Sequence, residues 1–173
     1  MKKSNLLCCL LFALTFFSCG TKSNYSDNSL NKNYYQGKTI YFYLKPNSVK
    51  EVKMSGLYKS TVFDDNYPPN IDNIFKESIE ELSSETKVNL KIINNNVSLS
   101  NNDILVNVYI TNITWHFGFS TATLKSQILY EIQDTNKSYN IEGLRKSGGG
   151  SKINNVRKSL KNANYKFLKE LEK

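Results

Sequence analysis

His116 is the only histidine in a chain of 173 residues, so general-base chemistry near neutral pH would have to run through it. It alternates with Trp115 and Phe117 and so points to the other side of a strand from both. No Gly-x-Ser-x-Gly elbow or other nucleophile signature accompanies it. One histidine also does not build a histidine-rich metal site. A structural or surface role is therefore expected for His116, and no catalytic residue is assigned. Asp64-Asp65 offers two carboxylates to a cation, but no third carboxylate stands at ligand spacing. The pair precedes Pro68-Pro69, which reads as loop. Gly148-Gly149-Gly150-Ser151-Lys152 has the composition of a phosphate loop between a strand and a helix. The P-loop needs Gly, four residues, then Gly-Lys-Ser/Thr. Gly143 and Gly148 have that spacing, but Gly149 follows where Lys is required. The triplet is read as a hinge, and no cofactor or metal is expected.

Two groups of residues remain. The strand tyrosines Tyr41, Tyr43, Tyr109, Tyr130 and Tyr139 suit a half-buried pleated surface whatever the function, so packing is the favoured reading. The alternative is a ligand or partner surface built from Tyr41, Tyr43, Tyr109, Trp115 and His116. The second group is the cysteines. Cys8 and Cys9 lie in a mostly apolar run from Leu6 to Phe17, preceded by Lys2 and Lys3 and followed by Ser18. A cationic start, a short apolar stretch and a small residue make a secretory signal. The run is too short to span a bilayer, which takes about 20 apolar residues. Removal of residues 1–18 leaves Cys19 as the only cysteine, so no disulfide or cysteine metal site can form within one mature chain.

Phe16-Phe17-Ser18-Cys19-Gly20 resembles the lipobox of bacterial lipoproteins, with Phe16 where that pattern usually has Leu. The resemblance implies that Cys19 becomes the first mature residue and carries acyl chains. One chain would bind a membrane only reversibly; two or three would hold it there.

The formal net charge is +8, but the cations are nearly all lysine, with Arg145 and Arg157 the only arginines. Bidentate phosphate or guanine readout therefore has few donors, and a nucleic-acid partner is not expected. Weak attraction to anionic lipid head groups fits the lysines better.

The elements that must carry these residues are read as follows. Residues 19–37 form a lipidated cysteine and a flexible polar tether, on which Tyr25, Tyr34 and Tyr35 are either docked or solvated. A single folded domain spans 38–173. Thr39 to Leu44 alternates as a strand ended by Pro46, and a shorter strand is placed around 57–63 inside a long connection. Asn70 caps a helix whose apolar face is Ile71, Ile74, Phe75, Ile79 and Leu82, with Glu77, Glu80 and Glu81 on the solvent side. Val88, Leu90 and Ile92 form another strand. From Asp103 to Phe117 the inward parity flips between Ile110 and Ile113, which predicts a bulge or strong bend near Thr111-Asn112. Two further strands follow, joined by the turn Asp134-Thr135-Asn136-Lys137. The last helix starts at Ser151, with Ile153, Val156, Leu160, Ala163, Phe167 and Leu171 inward and its lysines, Lys161 among them, mostly outward. The expected fold is α+β: an antiparallel-rich sheet of four to five strands with two amphipathic helices on one face.

Over residues 38–172 the arrangement resembles small envelope lipoproteins of Gram-negative, Bacteroidetes-like bacteria. The resemblance rests on the lipobox, the early strand and helix, Asp103-Ile104-Leu105-Val106-Asn107-Val108, Trp115-His116-Phe117 and the closing strand-Gly-helix. It is similar to the YajG-like and transport-auxiliary lipoproteins, and more distantly to the lipopolysaccharide-assembly lipoprotein and the amino-terminal domain of TolB. That resemblance implies a non-enzymatic accessory of an envelope assembly or transport complex, anchored to the outer membrane and facing the periplasm. A lipid, glycan or toxin binder is the alternative it leaves, and a His116-dependent hydrolase is disfavoured.

Overall fold

The computed structural model describes residues 24–26, 30–57, 68–94, 99–147 and 149–173. Cys19, the signal stretch, Asp64-Asp65, Gly148 and most of the strand placed at 57–63 lie outside the described residues. In chain order the elements are α1 (Lys32–Tyr35), β1 (Thr39–Leu44), β2 (Lys53–Gly56), α2 (Ile71–Thr86), β3 (Asn89–Ile93), β4 (Ile104–Phe117), β5 (Ala122–Ile132), β6 (Ser138–Ser147) and α3 (Lys152–Leu171). The α+β class is as expected, but the sheet is mixed and has six strands. The order is β3-β1-β4-β5-β6, with β2 beside the far end of β4. β3, β1 and β4 run parallel, β2 is parallel to β4, and only β4-β5-β6 is an antiparallel meander. Alternation in a sequence reports which face a residue takes and not which way its neighbour runs. Here the α2 crossover brings β3 back parallel to β1.

The connection after β1 stays beside β4. The Lys45 N–H donates to the Val108 carbonyl at 2.9 Å and the Val49 N–H to the Ile110 carbonyl at 2.8 Å. The buried Ser48 hydroxyl accepts from the Ile110 N–H at 3.2 Å. β2 then resumes the pairing, with Ser55 opposite His116. The β4–β5 register shifts between Ile110 and Asn112, where the parity of the sequence required it. Ile110, Ile113, Trp115 and Phe117 thereby all face inward.

α2 and α3 cover that inner face. Phe42 meets Phe75 and Phe167 edge-on at 6.4 and 6.0 Å, and Phe167 stacks on Tyr130 at 4.2 Å. A buried polar chain links the layers. The Tyr130 hydroxyl donates to Asn164 Oδ1 at 2.7 Å, and Asn164 Nδ2 donates to the Ser78 hydroxyl at 3.1 Å. Gly143 on β6 lets α3 approach closely, because a Cβ there would lie 2.9 Å from the Ala163 Cβ and still closer to the Ser159 carbonyl.

Three details differ from expectation. Glu77 and Glu81 do not face solvent alone, and Lys161 is not on an outer face. Lys161 is buried and donates to Glu81 at 2.9 Å and Glu85 at 2.6 Å, while Arg157 Nε lies 3.0 Å from Glu81. Ile153 is exposed, and Leu168 takes an inward position on α3 instead. Residues 24–26 and 30–37 are packed rather than trailing as a tether. Tyr25, Leu30 and Tyr35 are buried, and the Tyr35 hydroxyl donates to the Leu168 carbonyl. Polar composition concealed three apolar anchors spaced five residues apart, which join the core at the ends of α2 and α3. Among the described residues no helix is long and apolar enough to cross a membrane.

Candidate functional site

Both long helices lie on one face of the sheet. The other face shows outward-pointing residues of alternate parity that are half-exposed. Across its centre Lys91, Tyr41 and Leu105 stand in register on β3, β1 and β4, and one step along stand Ile93, Tyr43 and Asn107. Tyr109 pairs with Leu129 and Asn107 with Glu131 on β5. Three tyrosines and three aliphatic side chains thus share one pleated surface. Apolar groups on a sheet face normally sit against another layer.

Cations rim the tyrosines. Lys45 Nζ lies 4.5 Å from the Tyr43 ring centroid, and Lys91 Nζ is 6.0 Å from that of Tyr41. Partial desolvation, then the Glu131 carboxylate facing its hydroxyl, raise the Tyr109 pKa above the ordinary phenol value. Beside Tyr43 the surface dips into a depression of about 470 Å³ lined by Lys45, Ile93, Asn94, Leu105, Asn107 and Gln133. Rigid rings with a hydroxyl at the tip, flanked by lysines and a carboxylate, suit amphipathic protein surfaces with both charge signs.

Of the residues singled out in the sequence, Tyr41, Tyr43 and Tyr109 come together on this face. Trp115 does not join them: it is buried on the inner face against Phe117, with ring centroids 4.7 Å apart. His116 shares the outer face but stands seven residues beyond Tyr109, roughly 20 Å along the strand at the usual rise. Its Nδ1 is 3.2 Å from the Ser55 hydroxyl. That serine is its register partner on an exposed strand pair, and among the described residues no carboxylate bonds to the ring to orient it as a triad would. Among the described residues no three His, Cys, Asp or Glu stand together to hold a metal ion. Lys45, Lys91, Leu105 and Leu129 were not singled out. Their outward parity opposite Phe42, Val106 and Ile128 was the available signal.

No family model matches the chain. No curated protein matches it either. Among solved structures it is similar to a crystal structure of an uncharacterized protein, with 11% identity and a TM-score of 0.45 over 78% of this chain and 92% of that one. The hypothetical protein CT253 from Chlamydia trachomatis is similar at 12% identity and a TM-score of 0.36, over 77% of this chain and 93% of that chain. A ribosomal subunit interface protein from Coxiella burnetii is similar at 9% identity and a TM-score of 0.26, over 70% and 92%.

Proposed function

We propose that this chain is a lipid-anchored lipoprotein of the bacterial envelope that works by contact with another envelope protein rather than by catalysis. Cys19 is the acylated residue, the outer membrane is the anchoring surface, and the domain faces the periplasm. The observation that carries the contact reading is the sheet face opposite α2 and α3, which bears Tyr41, Tyr43, Tyr109, Leu105 and Leu129 and on which no helix lies among the described residues. Tyrosine anchors ringed by charged groups dominate the energetics of many protein interfaces, with truncation of an anchor costing about 2 kcal/mol or more. Recovery of the protein from crosslinked membranes is the test. The wild type should bring down one stoichiometric envelope partner, and Tyr43→Ala with Tyr109→Ala should reduce its recovery by about 30-fold or more. Unchanged recovery with the double variant, or repeated recovery of the lipoprotein alone, would overturn the proposal.

A second reading, binding of a lipid, glycan or toxin, is supported by the depression beside Tyr43. A ligand there would perturb the Tyr43 and Asn107 resonances with no protein partner present.

A further inference from the structure

The chain enters the domain at one pole. The Tyr25 N–H donates to Glu85 Oε2 at 2.9 Å, its hydroxyl accepts from Asn162 Nδ2 at 2.8 Å, and its ring stacks on Tyr165 at 4.2 Å. Glu85 lies at the end of α2, two residues before Lys87. Beside that point the 30–39 stretch and the α2–β3 turn line an open cavity of about 590 Å³. Leu30, Tyr35 and Val88 give it apolar walls, and Lys32, Lys38 and Lys87 bring it cations. Lys38 is steadied 3.7 Å over the Tyr34 ring.

The charges at this pole are unevenly matched. Its carboxylates are engaged: Glu85 by Lys161 and the Tyr25 N–H, Glu172 by Lys169 and the Asn31 N–H, Asp103 by the Thr39 and Ser100 N–H groups. Lys32, Lys38 and Lys87 have no carboxylate within ion-pair distance among the described residues; Lys45, Lys53, Lys91, Lys137, Lys158 and Lys166 elsewhere share this, but only these three converge on one cavity. Cys19 precedes Asn24 by five residues, a chain length that spans at most about 18 Å. A membrane holding acyl chains on Cys19 is therefore never farther than that from the point where the chain docks.

We propose that this pole is the membrane-docking face, and that the Lys32, Lys38 and Lys87 cavity receives the phosphate head group of an anionic phospholipid. The inference rests on the lipid anchoring proposed above. It adds an orientation: docking of Tyr25, Leu30 and Tyr35 shortens the tether and turns the basic cavity toward the bilayer. The apolar walls suit the glycerol and first methylenes of the same lipid, and three cations suit one phosphate plus the negative surface around it.

The test uses the mature acylated protein in vesicles of phosphatidylcholine alone or with phosphatidylglycerol. The rate of amine modification is read lysine by lysine, and intact mass reports the acyl group. With phosphatidylglycerol, Lys32, Lys38 and Lys87 should react about fivefold more slowly, the factor expected for a cation held at an anionic surface, with Lys125 and Lys146 unchanged. Lys32→Glu with Lys87→Glu should abolish the protection of Lys38. Equal rates in the two vesicle types, on protein whose mass shows the acyl group, would overturn the docking pole and leave anchoring intact. The same protection from inorganic phosphate without phosphatidylglycerol would overturn the membrane as the source of the anion. A mass without acyl groups would overturn anchoring, and this inference with it.

Discussion

Replacing Gly143 by alanine tests how closely α3 lies on the sheet. The added Cβ would sit 2.6 Å from the Ser126 hydroxyl and 2.9 Å from the Ala163 Cβ, and closer still to the Ser159 carbonyl. Ordinary contact between two carbons is about 3.5–4.0 Å, so α3 must retreat by roughly 0.8 Å or more. Backbone shifts of that kind cost about 1–3 kcal/mol. The Ser126–Ser159 hydroxyl bond, 2.9 Å long, spans the same gap and would be lost for about 1 kcal/mol more. The sum, about 2–4 kcal/mol, is a large share of the 5–15 kcal/mol typical of a domain. For a chain of this length it corresponds to a fall in Tm of about 5–15 °C. Urea and thermal unfolding followed by circular dichroism would measure it. Gly149→Ala is the control, because nothing lies within 4 Å of its added Cβ, and it should stay within about 0.5 kcal/mol of wild type. If Gly143→Ala were equally mild, α3 would not pack on β6 as described.

Lys161→Met should destabilise by about 2–3 kcal/mol in the same assay. Breaking a buried ionic contact costs about 3–5 kcal/mol, but Glu81 keeps Arg157 and is partly solvated. A neutral result would remove the ionic seam between α2 and α3 from the account. Asp103, held below the usual carboxylate range first by the Ser100 N–H and also by the Thr39 N–H, stabilises the fold above the unfolded aspartate pKa of about 3.9 and loses that effect as pH falls through its lower folded value. Asp103→Ala should therefore lower the urea midpoint at pH 7 and converge with wild type toward pH 2; a constant offset would contradict this. His116→Ala should leave stability within about 0.5 kcal/mol and leave partner recovery unchanged, since the ring is exposed and remote from the tyrosines.

The inward and outward faces of the strands were readable from the sequence because burial has a period of two, and the misfit between Ile110 and Ile113 placed an irregularity near Thr111-Asn112, where the register shifts. Strand direction was not readable, since Ile40, Phe42 and Leu44 alternate alike beside a parallel or an antiparallel neighbour. The burial of Lys161 was hidden for a different reason. Its partners Glu81 and Glu85 stand 80 and 76 residues away, and helical periodicity assigns a lysine outward until such partners are known. Tyr25 and Tyr35 lay in a polar stretch without helical or strand periodicity, and their contacts come from α2 and α3, far along the chain. For the candidate surface, Tyr41, Tyr43 and Tyr109 were legible as strand tyrosines. Trp115 belonged with the core by its parity with Ile113 and Phe117.

The most direct measurement places a photo-crosslinking amino acid at Tyr109 on the open sheet face, or at Glu80 on the exposed side of α2, in living cells. The account predicts one discrete adduct with an envelope protein from position 109 and none from position 80. An adduct from position 80 alone, or none from 109 at native expression, would contradict it.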